Sequence, residues 1–328
     1  MKLVNETRHP AALFRGEMQP GLMHAALLTR VRYRCDRQGG LVQLAPDDPD
    51  ALKELRTDKV EDEYGTLEAD IAFPRAATDV MIFADAAAPR PTHSMTVGVR
   101  VGPYQQSLLI TGDRTWQRTA RGIVASAPAP FDRMPLTYAH AYGGKARSSH
   151  GELANPANPL GKGYYLDEAS AIDHPLPNIE DPRQPIRRWD DRPDPVGLAP
   201  YPPEWLLRQR DVVQFDGEAN KMQIHPERGM FDRAHPTLSG QIVRPGDPVE
   251  ITGTAFAPRL ALKIPPCPVE MVLTLGERVH VRELELEEVL LDLRVGLVDL
   301  GYRKLCSYDF VAHQPRSMIL RARTGASP

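Results

Sequence analysis

Proline sets the limits of what this chain can fold into. Thirty-two of its 328 residues are proline, about twice the usual roughly 5% share. Each one removes a backbone donor and fixes φ, which disfavours long helices and multiplies turns. The expected fold is therefore mainly β: a large antiparallel sheet, sandwich or barrel with few short helices. The prolines crowd the stretch from Asn155 to Pro203, at positions 156, 159, 175, 177, 182, 185, 193, 195, 200, 202 and 203. Aromatic and apolar residues recur between them, and Arg187, Arg188, Asp190, Asp191 and Arg192 can pair locally. That pattern predicts a long, ordered, extended crossing rather than a disordered linker.

Period-two alternation marks the strands. In "ALLTRVRYRCD", Leu27, Val31, Tyr33 and Cys35 share one face and Arg30, Arg32 and Arg34 the other, which predicts a strand with one wet face. "DRQGG" supplies a turn and "LVQL" a returning partner. "LEADIAFP" places Leu67, Ala69, Ile71 and Phe73 on one side. "MTVGVRV" does the same with Met95, Val97, Val99 and Val101, before Gly102 and Pro103 turn the chain into "SLLITGD". "DPVEITGTA", "PVEMVLTL" and "RKLCSYDFVA" also read as strands, and "ELELEEVLLDLRVGLVDL" reads as strand, with Val289, Leu291, Leu293, Val295 and Leu297 on one face. Two short helices are expected, one in "DDPDALKELR" capped by Asp48 and one in "PPEWLLRQR". "TDVMIFADAAAP" and "DPVEITGTAFAP" share an order of residue types, a faint sign of two related β units.

Composition excludes several classes. A hydrophobic share of 41%, a charged share of 25% and a formal net charge of -3 are those of a globular protein with no general pull toward nucleic acid or anionic lipid. The widely spaced Cys35, Cys267 and Cys306 do not make a disulfide framework. The N-terminal residues lack a signal-peptide pattern and no apolar run reaches bilayer length, so a cytoplasmic location is expected.

Chemical motifs fail one by one. "AHAYGGKA" has Ala139 and Ala146 where a phosphate loop needs glycine and a hydroxyl, and "GKGYYL" has Leu166 where a dinucleotide fingerprint needs glycine. His140, His150, His225 and His235 have no metal-ligand spacing. "RSSHGE" reads as an exposed polar loop with no nucleophile elbow. Glu180 and Asp181, like Asp190 and Asp191, are chain neighbours that point apart, so they suit salt bridges better than acid–base catalysis. No catalytic residue, metal site or cofactor is expected, and no small-molecule substrate.

The order of landmarks is similar to a known family. "TDVMIFADAAAP", "MTVGVRVGPYQQSLLITGDRTW", "PFDRMPLTYAHAYGG", "NPANPLGKGYY" and "LPNIEDPRQPIRRWDDRPDPVGLAP" resemble the bacterial family known as domain of unknown function 2169. The likeness covers residues 1–325, most densely 78–206. The pattern admits sub-units at 1–150, 151–205 and 206–325, the middle one being the proline-rich connection. Members of the family are encoded beside type VI secretion effectors and PAAR-repeat spike-tip proteins. The resemblance implies a cytoplasmic adaptor or chaperone that binds an effector, or its PAAR-containing region, and helps load it onto the secretion spike. Two alternatives stay open: a structural component exported with the spike, and an enzyme with a dispersed site. Tyr164, Tyr165, Arg187, Arg188 and Trp189 are the candidate partner-binding residues, because these types are enriched at interface hot spots. The same residues also suit a brace that staples the crossing to its own domain.

Overall fold

The alternating segments pair into sheets whose strands come from both ends of the chain. The structure is a computed structural model and describes residues 1–70, 75, 77–120, 122–149, 151–210, 212–217, 220–226 and 229–323. Its largest sheet runs Ala11–Gln19, Leu22–Cys35, Leu297–Asp309, Glu285–Asp292, Asp79–Phe83, with Leu41–Gln43 added to Leu22–Cys35. A five-stranded sheet runs Ile179–Glu180, Tyr104–Thr111, Ser94–Val101, Pro248–Thr252, Arg259–Lys263. A four-stranded sheet runs Lys2–Asn5, Arg316–Ala322, Val269–Leu275, Arg278–Glu283. One apolar core unites them: Leu27 and Val31 from the first, Val99 and Leu108 from the second, Met271 and Leu320 from the third. The fold is mainly β, no sheet among the described residues closes into a barrel, and its α-helices are the short Glu168–Ala171 and Leu206–Gln209. Among the described residues no helix is long and apolar enough to cross a membrane.

The "wet" face of the Leu22–Cys35 strand is not wet. Register places Arg30 beside Gly301, Gly301 beside Glu288, and Glu288 beside Asp79, one row across four strands. The next row brings Arg32 to Asp299. Arg30 is 4% exposed and Glu288 1%, and only Arg34 on this face stays open to solvent. The sequence expectation failed because the neutralising carboxylates lie on strands more than 250 residues away. Once Arg30 meets Glu288 (2.5 Å) and Arg32 meets Asp299 (2.6 Å), the face can be roofed by chain from Leu44 to Asp70 without leaving charges unpaired.

Glu288 is the hub of this layer. Arg30, Arg56, Arg75 and Arg233 all reach its carboxylate, at 2.5, 2.8, 3.4 and 2.8 Å. Asp70 ties three of them again, Arg30, Arg56 and Arg233. A bulge between Leu286 and Glu288 turns Glu287 toward the same layer, where it pairs with Arg303 at 2.7 Å. Gly301 leaves room opposite the hub, since a Cβ there would stand a tight 3.1 Å from that of Glu288.

Other expectations shift with the tertiary setting. Residues 285–302 are two antiparallel strands around a turn at 293–296, with Gly296 at φ +71°. Val289 and Leu291 are buried, whereas Val295 lies 61% exposed in the turn, so the five residues do not share a face. "DDPDALKELR" forms turns and no helix: the Asp48 carboxylate accepts the Asp50 N–H as a cap would and also pairs with Arg34, but no helical turn follows. The strand expected in "LEADIAFP" stops at Leu67; Asp70 is drawn into the charged layer, and Ile71 to Pro74 lie outside the described residues. The two similar segments sit in different sheets, one beside a parallel neighbour and one between antiparallel ones. They nevertheless meet, through Ala87 N–H to the Gly253 carbonyl and Ala255 N–H to that of Asp85.

The proline-rich crossing is ordered and closes sheet edges. Ile179 pairs with Ile110 at one edge of the five-stranded sheet. The Leu198 carbonyl accepts the Ile82 N–H at the edge of the six-stranded one, 2.8 Å away. Proline suits such a cover, since it offers no further donor to an incoming strand. The far end is held by Tyr138, Tyr201 and Trp205, packed edge to face at 5.0 to 5.4 Å. Gly197 lies flat against the Tyr138 ring, with no room for a Cβ.

Two predictions follow from the charged layer. Glu288→Ala removes the carboxylate that four guanidinium groups share, leaving Asp70 to balance three of them and Asp79 the fourth, and should cost roughly 3–5 kcal/mol in urea unfolding. The exposed Glu285→Ala, which loses one surface pair with Lys304, should cost less than about 1 kcal/mol; equal costs would refute the hub. The second concerns pH. Burial pushes the Asp79 carboxyl up to about 7 against the opposing pull of Arg75, while its unfolded value is about 3.9. Between those values the native state binds more protons than the unfolded one, so this group lowers stability as pH rises from about 4 to 7. Asp79→Asn should remove that part of the slope; parallel wild-type and variant curves over this window would contradict it. Burial alone would raise the Glu288 carboxyl too, but Arg30, Arg56, Arg233 and Arg75 outweigh it and hold it well below its ordinary range. Its contribution is therefore lost only as pH falls below about 4.

Candidate partner-binding surface

A second, smaller core carries the residues singled out from the sequence. Trp116, Tyr142, Ala171, Leu176 and Ile186 are buried together, apart from the main core, and Tyr164, Tyr165 and Trp189 pack half-buried against them. Capping explains the helix under this cluster: the Asp167 carboxylate accepts the Ser170 N–H while the Ser170 hydroxyl reaches back. The structure therefore brings the three aromatic residues into one patch, although more than twenty residues of chain separate Tyr165 from Trp189.

Residues 187–192 form a tight turn around one carboxylate. Asp191 Oδ2 accepts the N–H groups of Arg187 and Arg188 at 2.8 and 2.9 Å. Arg188 is bidentate to Asp190, at 2.9 and 2.7 Å. Arg192 is the staple that sequence reasoning did not single out. It donates to the carbonyls of Trp189 and Tyr165 and lies 5.6 Å from the centroid of the Tyr164 ring. The Tyr165 hydroxyl donates to the Pro175 carbonyl at 2.6 Å. Arg187 has an exposed side chain with no ion pair to a described residue. The patch thus presents aromatic edges and arginine on a backbone that is already fixed.

A second apolar surface was missed. Val213–Asp216 and Lys221–Ile224 form a hairpin in which Val213 faces Ile224 and Phe215 faces Met222. Phe215, Met222 and Ile224 are 62%, 58% and 62% exposed, and none belongs to either core. The signal was present as apolar–Gln–apolar alternation in "VVQFD" and "KMQI". Three large apolar side chains held to solvent on one ribbon face mark an interaction surface.

The polar interior is built for holding, with its charges already matched. A cavity of about 270 Å³ lies between the six-stranded sheet and its roof, lined among others by Arg30, Arg32, Arg56 and Arg294. Each of these guanidinium groups is already paired with a carboxylate: Glu288, Asp299, Asp70 and Asp292 respectively. Among the described residues no group of three or more His, Cys, Asp or Glu side chains could hold a metal. His235 is a core histidine: burial pushes it down to about 4 and its Nε2 lies 2.9 Å from the Pro195 carbonyl. His140 sits against Asn178, and His150 lies outside the described residues. Glu180 is buried on Arg114 and the Ile186 N–H, whereas Asp181 faces outward on Arg183. Within "RSSHGE", Arg147 and Ser148 pair with Glu152 and Gly151 in the hairpin of Lys145–Ser148 with Gly151–Ala154.

The glycines of the failed phosphate motifs serve chain packing. Tyr142–Gly143 pairs in parallel with Lys162–Gly163. A Cβ on Gly143 would stand 2.1 Å from the Asn158 carbonyl oxygen, and one on Gly161 2.5 Å from that of Ala141. These are the segments "PFDRMPLTYAHAYGG" and "NPANPLGKGYY" clasped together, and they are among the landmarks that carry the family pattern. A family model described as "Uncharacterized protein conserved in bacteria (DUF2169)" matches residues 21–303. The chain belongs to the DUF2169 family. No curated protein and no solved structure matches it.

Proposed function

We infer that this DUF2169 protein is a non-catalytic adaptor of the type VI secretion system. It holds a cognate effector, or the PAAR-containing region at the spike tip, in the cytoplasm and helps load it onto the spike. The observation that carries this reading is the contrast between interior and exterior. The buried arginines each meet a carboxylate, several of them sharing Glu288 and Asp70, and the exterior offers preformed apolar surface on the Val213–Ile224 hairpin and an aromatic–arginine patch at residues 164–192. The family landmarks supply the kind of client.

Preformed surface matters because ordering a loop on binding subtracts from affinity. Residues 187–192 are tied down before any partner arrives, so little of that cost remains. An adaptor must also release its load, which suits binding of about 8 to 12 kcal/mol, roughly micromolar to nanomolar.

Co-expression with the effector encoded beside it tests the reading. The two proteins should co-elute in size exclusion, and the effector should gain solubility; no co-elution and no gain would refute it. Phe215→Asp with Met222→Asp, on a face outside both cores, should abolish co-elution and leave the melting temperature unchanged. Arg187→Ala with Trp189→Ala separates brace from surface at the second patch. A stable variant that loses the client makes the patch client-facing, and a destabilised one makes it a brace.

A further inference from the structure

Three edges of the large sheets are guarded. The Asp79–Phe83 edge is covered by Leu198. The edge strand Ile179–Glu180 is two residues long, between Pro177 and Pro182. The Arg259–Lys263 edge lies under the turn at Gly39, whose α-carbon approaches so closely that a Cβ would stand 1.9 Å from the Ala261 carbonyl oxygen. These are the usual defences against stray strand pairing. The edge strand Arg278–Glu283 of the four-stranded sheet has none of them. It is six residues long, ends its sheet, and is exposed along almost its whole length.

Its two faces differ in chemistry. Val279 and Val281 are 61% and 47% exposed. Register continues Val281 through Val272 and Ile319 to Val4, so an apolar stripe crosses the outer side of all four strands. The alternate residues Arg278, His280 and Arg282 line the other side, beside Leu275, Leu273 and Met271. No ion pair joins these three side chains to a described residue, although ion pairs are common elsewhere on this surface. The basic row therefore has charge to offer.

We propose that the free edge of Arg278–Glu283 is a docking site for an extended segment of the client, added as a fifth strand, in which acidic residues alternate with apolar ones. This rests on the adaptor reading for the source of the segment, and it names a surface separate from the hairpin and the aromatic patch. Backbone bonding to the edge gives affinity, and alternate side chains give selectivity. Acidic side chains of the added strand lie beside Arg278, His280 and Arg282, and apolar ones extend the Val279–Val281 stripe. The same charges turn away a second copy of this chain. Antiparallel self-pairing with His280 on the two-fold axis sets Arg278 opposite Arg282, and like charges directly opposite are destabilising.

The test uses the full chain and two labelled ten-residue peptides, one alternating valine with glutamate and one alternating valine with lysine. Fluorescence polarisation reads binding, and hydrogen exchange reads protection of amides 278–283. The glutamate peptide should bind, protect those amides, weaken with added salt, and bind at least about fivefold tighter than the lysine peptide. Arg278→Glu with Arg282→Glu should reverse the preference, a gain of binding that a misfolded variant cannot give. Absent binding, equal binding of both peptides, or a dimer of the chain that protects 278–283 would overturn the proposal. So would a co-expressed effector that binds the chain but leaves 278–283 unprotected; the adaptor reading would then stand and the edge site alone would fall.

Discussion

Four guanidinium groups converging on the Glu288 carboxylate hold together parts of the chain that share little else. Arg30 comes from a long N-terminal strand, Arg56 from the roof over the sheet, Arg75 from the chain entering Asp79–Phe83, and Arg233 from the loop that meets Tyr201. A buried ion cluster adds little net stability over an apolar packing of equal volume, because desolvation offsets much of the attraction. What it can supply is register. A slip of one residue in Leu22–Cys35 or Glu285–Asp292 would send the Arg30 or Glu288 charge to the apolar side, and that arrangement leaves an unpaired ion in the core. The apolar face alone, rich in valine and leucine, would not discriminate so sharply between registers.

With register fixed, the proline-rich crossing acquires its role. It meets the edge of one large sheet at Ile179 and of another at Leu198, and between those points it carries the small core under Tyr164, Tyr165 and Trp189. The brace and the proposed display surface are thus the same stretch of chain. The segments that close the edges are the ones that set the aromatic patch in place, and Arg192 binds the two arms of that patch together. Surfaces carried this way need no rearrangement before a partner docks, which is what the proposed adaptor role asks of them.

How much of this the sequence displayed depends on distance along the chain. The Ser94–Thr111 hairpin was legible because alternation and the Gly102–Pro103 turn are local signals. The ordering of residues 155–203 was legible too, from apolar residues recurring among the prolines. The burial of Arg30 and Arg32 was not, since one strand's alternation looks the same whether its polar side meets water or carboxylates on distant strands. Asp48 misled for a related reason: a good helix cap is also a good partner for Arg34. In 285–302 the apolar alternation ran straight through a turn, and only Gly296 hinted at it. Of the five candidate surface residues, the aromatic three do gather. Arg192 was read as one of several locally pairing charges, without its role as the staple, and the apolar hairpin at 213–224 was passed over among weak strand signals.

The central claim is that the charged layer makes the crossing and the sheets one cooperative body, so that the exterior is preset. Native-state hydrogen exchange across a urea series tests this most directly. The amides of Ile82 and Thr111, which donate to the crossing at the Leu198 and Asn178 carbonyls, should merge with those of the Leu22–Cys35 strand into a single global unfolding isotherm. If the crossing contacts open at lower urea, with a smaller free energy than the strand beside Glu288, the account is wrong.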